Sequence, residues 1–301
     1  MPKYITNTQQ MRDLIRRHEF HVKKKLGQHF MVSSQVLERI IELAEVKTED
    51  RVLEIGPGLG ALTQHLAEKA GQVVAVEVDV SLFPLLRETL ARFSNIRLVA
   101  GDILKLNLDE IMQQERLVKD GPTSPLTYKV VGNLPYYITS PIIMGILEGG
   151  YQIESLVVMI QKEVAERLVA RPGTKEYGLL SVGVQYYAEV FPGGIVGRDA
   201  FWPRPEVDSA LVKLIPRQEP AVKVDSQEFF FWTAKAAFGQ RRKTLLNALM
   251  GAPGTQGIKR EIIEKTLVNI GIDPRRRGET LSLTELAEIS NHLYPLIRTG
   301  R

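Results

Sequence analysis

The sequence predicts an α/β protein, an open doubly wound sheet followed by a small all-helical domain. Three observations carry that reading. From about residue 50 to 190, short apolar runs alternate with helix-compatible stretches, the pattern of βα units in a parallel sheet. A glycine-rich turn, Gly56-Pro57-Gly58-Leu59-Gly60, leads from the first of those runs into a helix. After Pro216 the strand-like runs stop and only helical periodicity remains.

In chain order, the first element is the helix-like Gln-Met-Arg-Asp-Leu-Ile pattern near the N-terminus. Buried strands are then expected at 51–56, 73–79, 96–102, 128–134 and 155–161. Each is rich in Val, Ile and Leu, as strands covered on both faces are. Between the first two, "ALTQHLAEKAG" reads as a helix that ends on Gly71 as a C-cap. The stretch from Ile103 to Lys129 carries no usable motif. Two further strand-like runs, 182–191 and 210–216, come without a long helix between them and are expected to pair antiparallel at the sheet edge. The remaining helical segments are joined by "GAPGTQG" and "GIDPRRRG". The expected domains are therefore 1–216 and 217–301.

Composition narrows the function. The 301 residues are 44% apolar and 25% charged, ordinary values for a globular chain. With no cysteine, disulfides and thiolate chemistry are excluded. The five histidines are scattered, and His18-Glu19-Phe20-His21 has the wrong spacing for a zinc motif, so no metal is expected. No run approaches the roughly 20 apolar residues of a membrane span. The N-terminus lacks the apolar core of a signal peptide, and Asp13 and Glu19 argue against a transit peptide, so a cytoplasmic protein is expected.

Net charge is only +4, but residues 1–30 carry +5 and residues 235–301 carry +6, leaving −7 between them. Basic ends around an acidic centre suit an extended polyanion. Any one basic cluster is ordinarily a solvated helix face. Three tight runs, Lys23-Lys24-Lys25, Arg241-Arg242-Lys243 and Arg275-Arg276-Arg277, favour nucleic acid.

In "VLEIGPGLGALTQHL" the glycines let the backbone approach a ligand at a helix start. Glu77 ends the next strand, where a carboxylate can take both hydroxyls of a ribose. Up to this point NAD fits as well as any nucleoside cofactor. Asp102 then closes the third strand, placed to accept a hydrogen bond from a bound adenine. Asn133-Leu134-Pro135-Tyr136 closes the fourth, beside the same crevice. That order resembles the class I, Rossmann-like methyltransferases that use S-adenosylmethionine on the amino group of a base.

The exocyclic nitrogen of adenine is a poor nucleophile because its lone pair is delocalised into the ring. Two fixed acceptors for its hydrogens, the Asn133 side-chain oxygen and the Leu134 carbonyl, would draw the nitrogen out of the base plane. Pro135 stiffens the turn and contributes no competing N–H. Tyr136 offers a flat face to an extruded base, worth roughly 1–3 kcal/mol.

Six segments in order, "KKKLGQHFM", "EIGPGLGALT", "GNLPYYITSPI", "MIQKEVAERL", "FWPRPEVDSALVKL" and "AFGQRRKTLLNAL", resemble the ribosomal RNA adenine N6,N6-dimethyltransferases, most closely their small-subunit branch. The resemblance implies S-adenosylmethionine as cofactor, held by His29, Met31, Gly56, Gly58, Glu77, Asp102 and Asn133. It implies catalytic positions at Asn133, Leu134, Pro135 and Tyr136, with Phe201 as a second aromatic at the target base. It further implies RNA contacts from Lys23, Lys24, Lys25, Arg241, Arg242 and Lys243. His29 departs from the family, where Asn is common, and Tyr137 varies among relatives and is given no role.

The function implied is dimethylation of two adjacent adenosines near the 3′ end of small-subunit rRNA. The partner is the rRNA of a pre-assembled small subunit, and the enzyme is expected to be a monomer. Three readings stand beside it: a large-subunit methyltransferase of the macrolide-resistance type, a ribosome-assembly factor, and a small-molecule methyltransferase or dehydrogenase. Leu134, where the resistance enzymes usually have Ile, and the "FWPRPEVDSA" segment favour the small-subunit reading over the large-subunit one.

Overall fold

The computed structural model describes residues 8–113, 127–240, 242–256 and 258–298. Residues 114–126, about half of the motif-free connection after Asp102, lie outside the described residues, as does Arg241. The chain divides into two compact units, Met1–Ala165 with Val190–Pro216, and Glu166–Glu189 with Arg217–Arg301.

The first unit opens with α1 (Thr8–Arg17), whose Met11 and Leu14 are buried, and the two-residue β1 (Phe30–Met31). There follow α2 (Ser34–Ala44), β2 (Arg51–Ile55), α3 (Ala61–Lys69), β3 (Gln72–Glu77), α4 (Phe83–Leu90), β4 (Ile96–Ala100) and α5 (Leu108–Gln113). Next come β5 (Tyr128–Asn133), α6 (Thr139–Glu148), β6 (Ile153–Gln161) and α7 (Lys162–Val169), which runs on into the second unit; after that unit's α8 (Leu179–Tyr187) follow β7 (Ala188–Val196), β8 (Phe201–Trp202) and β9 (Ser209–Pro216). The five strands expected between 51 and 161 all form. The Val, Ile and Leu side chains of β2, β3, β5 and β6 are buried because helices cover the sheet, whereas those of β4, the outermost strand on its side, are only half-buried.

Seven strands make one sheet in the order β4-β3-β2-β5-β6-β9-β7. β4, β3, β2, β5 and β6 run parallel, and β9 lies antiparallel on β6, with Gln161 opposite Ser209. From β2 the chain winds outward through β3 and β4, then returns to place β5 on the other side of β2. That reversal opens a crevice at the carboxyl ends of β2 and β5, the switch point of a doubly wound sheet. At the crevice floor Ile55 faces Gly132. A Cβ at position 132 would lie 2.9 Å from the Ile55 carbonyl oxygen, so only glycine lets the two strands close here.

A second, two-stranded sheet joins distant parts of the chain: β1 pairs antiparallel with β8, Phe30 opposite Trp202 and Met31 opposite Phe201.

The structure corrects one expected strand. Residues 182–187 are the end of α8, and only from Ala188 does the backbone extend into β7, the outermost strand. In α8, Ser181, Val182, Gly183, Val184 and Tyr186 are all buried, so its apolar run shows no amphipathic period and reads like a covered strand. The Ser181 hydroxyl turns the chain into that helix, accepting from the Gly178 amide and donating to the Arg167 carbonyl.

In the second unit, α8 packs with α9 (Gln227–Phe238), α10 (Leu245–Met250), α11 (Arg260–Asn269) and α12 (Leu283–Arg298). The Tyr186 ring stacks on Phe230 at 4.9 Å. Residues 166–189 thus belong with the C-terminal helices, where the sequence suggested one boundary at Pro216. Arg276 of the third basic run is built into this unit, bonded to Glu285 and to the Thr280 carbonyl.

Candidate active site

The switch-point crevice holds about 260 Å³ and is lined by Gly27–Phe30, Gly56, Gly58, Glu77, Asp102 and the run Asn133–Ile138. Every wall comes from the first unit.

Gly56 and Gly58 turn the chain out of β2 at φ 69° and 59°, in the left-handed region. At Gly58 a Cβ would also lie 3.1 Å from the Phe30 ring. The Gly58 amide donates to Glu77 Oε2 at 3.4 Å, and the Asp79 amide donates to Oε1 at 2.8 Å. Burial raises the Glu77 pKa, and these amide donors only partly offset it.

Asp79, one residue beyond the crevice lining, is a hub. Its buried carboxylate accepts from Lys23 Nζ at 2.6 Å, Gln28 Nε2 at 2.8 Å and the Ser81 hydroxyl at 2.5 Å. Burial works against its ionisation, yet these donors outweigh burial and hold its pKa below the usual range. Lys23, expected at RNA phosphates, is therefore already paired: it ties the N-terminal segment to the end of β3. Lys25 is exposed, and the side chain of Lys24 lies outside the described residues. Beyond α9, Arg242 and Lys243 are exposed.

Asp102 lines the far side of the crevice, its Oδ1 accepting from the Leu104 amide at 3.1 Å. Asn133 ends β5. Its Nδ2 donates to the His29 carbonyl at 3.1 Å, which fixes the amide with Oδ1 turned away from that contact. The Leu134 amide donates to the Met159 carbonyl while its side chain is buried. Pro135 caps the following turn, its carbonyl accepting from the Thr139 hydroxyl at 3.0 Å. The Tyr136 ring stacks against the His29 imidazole at 5.7 Å, and its hydroxyl bonds Ser209 Oγ at 2.8 Å.

His29 Nδ1 lies 2.7 Å from the Pro203 carbonyl. A carbonyl only accepts, so Nδ1 carries the hydrogen and the tautomer is set.

Two expected residues stand elsewhere. Met31 lines a smaller cavity of about 40 Å³ behind the glycine turn, with Met11, Glu54 and Leu62. Phe201, expected at the target base, is 4% exposed and lies in the hydrophobic core; it lines neither space. Its pairing with Met31 packs the ring inward, and the "FWP" segment reaches the site through the Pro203 carbonyl instead.

The sequence left Glu54 and Asp79 without roles. Glu54 is 1% exposed, and its Oε2 has no hydrogen-bond partner among the described residues. Burial, reinforced by the nearby Glu77 carboxylate, pushes its pKa up to about 8. Its signal was present in the sequence, an acid directly before a glycine turn.

A strand order that reverses at β2 and β5, with a glycine turn and a strand-end acid on one side and Asn-Leu-Pro-Tyr on the other, defines a class I methyltransferase. The model of the ribosomal RNA adenine dimethylase family matches residues 19–288. The chain belongs to that family. The Ribosomal RNA small subunit methyltransferase A of Moorella thermoacetica is 50% identical over 280 residues, 93% of this chain and 95% of that one. Among solved structures, a dimethyladenosine transferase from Plasmodium falciparum matches with a TM-score of 0.69 at 23% identity, covering 90% of this chain and 98% of that chain. The 23S rRNA methyltransferase ErmE matches with a TM-score of 0.64 at 28% identity, covering 88% and 99%.

Proposed function

We infer that this chain dimethylates the N6 amino groups of two adjacent adenosines in small-subunit rRNA, using S-adenosylmethionine, during ribosome biogenesis. The observation that carries the chemistry is the Asn133 amide, oriented by the His29 carbonyl at 3.1 Å so that its oxygen is left for a substrate donor. The donor set suits the cofactor. Glu77 has both oxygens anchored by amides at the end of β3, in position to receive ribose hydroxyls. Asp102 faces the same crevice for the adenine, with Gly56 and Gly58 giving close backbone approach, His29 closing the N-terminal side and Met31 packed behind the glycine turn. When bound, the cofactor supplies a sulfonium methyl open to nucleophilic attack.

The protein's part is to make the amine a nucleophile and to place it. Asn133 Oδ1 and the Leu134 carbonyl accept the two amino hydrogens, which turns the lone pair out of the ring plane. Pro135 holds that turn, and Tyr136 stacks the base after it leaves its own stack. The proton leaves after the nitrogen has attacked, so no side-chain base is required. Lys24, Lys25, Arg241, Arg242 and Lys243 provide phosphate contacts. A pre-assembled small subunit as substrate, a monomeric enzyme and a cytoplasmic location complete the reading. Among the described residues no helix is long and apolar enough to cross a membrane.

The 50% identity to a small-subunit enzyme, against 28% to a 23S rRNA enzyme, supports the small subunit as target. The test is methyl transfer from labelled S-adenosylmethionine to undermethylated small and large subunits. Dimethyladenosine is expected in the small-subunit RNA, and Asn133→Ala is expected to lower kcat by about 10²–10³-fold. Label in the large subunit alone would move the chain to the resistance branch. Binding without label in either would make it an assembly factor.

A further inference from the structure

Tyr136 follows Pro135 in a single 3-10 turn, and such a turn leaves the tyrosine ring free to rotate about its side-chain bonds. Two contacts from outside the turn remove that freedom. One is the His29 imidazole against the ring; the other is the hydroxyl–hydroxyl bond to Ser209 at 2.8 Å. Ser209 is fully buried and is the first residue of β9.

Its position is fixed by the strand that also positions Asn133. β6 pairs Met159 with Asn133 on one side and Gln161 with Ser209 on the other. The flanking Asp208 is pinned too, its carbonyl accepting from the Lys162 amide and its carboxylate from the Arg198 amide. The amide of Asn133 and the ring of Tyr136 are therefore referenced to one rigid element, two residues apart along it.

We propose that Ser209 is a positioning residue for methyl transfer: its hydroxyl holds the Tyr136 ring at a fixed angle to the Asn133 amide, so that the stacked base meets both acceptors at once. The inference rests on the base-stacking role given to Tyr136 above. A hydroxyl in the core that served only packing would have no reason to bond the one aromatic hydroxyl of the Asn133–Tyr136 run. A swinging ring would still bind a base but would present its amine to the acceptors for less of the time. The loss should fall on kcat, since misplacing reacting groups by even about 1 Å can be costly.

The experiment is a double-variant cycle with Ser209→Ala, Tyr136→Phe and both together, assayed on undermethylated small subunits. Each single change removes the same bond from one end. Each is expected to lower kcat about three- to tenfold, the range of one lost hydrogen bond. The double variant is expected to lose no more than either single one, with cofactor affinity unchanged in all three. S209A at the wild-type rate, or a double loss equal to the product of the two single losses, overturns the inference. Tyr136→Ala separates the two levels. If Y136A keeps its activity, the stacking role itself falls. If Y136A is inactive while S209A works normally, only the role of Ser209 falls.

Discussion

A carboxylate buried beside a second one behaves differently from a surface acid, and Glu54 makes that measurable. Its folded-state pKa of about 8 lies above the ordinary 4.5, because burial and the Glu77 carboxylate both favour the neutral form. A raised folded-state pKa means full stability below pH 4.5, lost as pH rises through about 8. Glu77, also raised, works in the same direction. In ligand-free protein the melting temperature should therefore fall as pH rises from about 5 to 8. Glu54→Gln should flatten that fall, with an effect of up to about 1.4 kcal/mol per pH unit. Melting curves of both proteins across that range check it. Single residues were also where the sequence was least readable. Asn133, Tyr136, Glu77 and Asp102 could be placed at the crevice because each ends a strand or opens the turn after one. Phe201 could not be placed, since a core phenylalanine and a base-stacking one look the same in sequence. The partner of Lys23 was hidden for a related reason: its charge was visible, but the buried Asp79 that it bonds lies 56 residues away.

At the scale of elements, the segment from Lys23 to Met31 holds only one 3-10 turn and the two-residue β1, yet it forms one wall of the crevice. It is held by the Asp79 hub at one end and by the β1–β8 ladder at the other. Asp79→Asn would place an amide hydrogen donor among donors in a site where the aspartate side chain is only 2% exposed. A loss of about 2–4 kcal/mol in urea unfolding is expected, the cost of leaving a buried partner unsatisfied. Faster tryptic cleavage at Lys23–Lys25 should accompany it, because the tether on that segment is gone. Lys23→Met, which removes a half-exposed partner, should cost less. β2, β3, β5 and β6 were readable because a covered parallel strand has a composition of its own. α8 was not, because a helix buried all round loses the period that would reveal it. β1 and β8 were not, because two-residue strands carry no period at all.

For the molecule as a whole, the charge pattern remains the clearest statement about its partner. The C-terminal stretch 235–301 carries a net +6, and Arg242 and Lys243 project from it unburied. Replacing both with alanine should weaken rRNA binding about equally across sequences. It should also reduce the slope of log Kd against log salt by about 0.7–0.9 for each phosphate that is no longer neutralised. Binding titrations at several salt concentrations give that slope directly. The course of the chain was not legible in the sequence: residues 166–189 leave the sheet for the helices, and the chain returns before β8 and β9 are laid down. The ladder between β1 and β8 therefore carries a consequence for the order of assembly. His29 meets its partner at Pro203, 174 residues later. A ribosome that has made the glycine turn, Glu77, Asp102 and the Asn133 run has made the Asp79 end of what holds the N-terminal wall, but not β8 and Pro203, which hold the other end. During its own synthesis, this protein completes the crevice only after most of its chain has emerged.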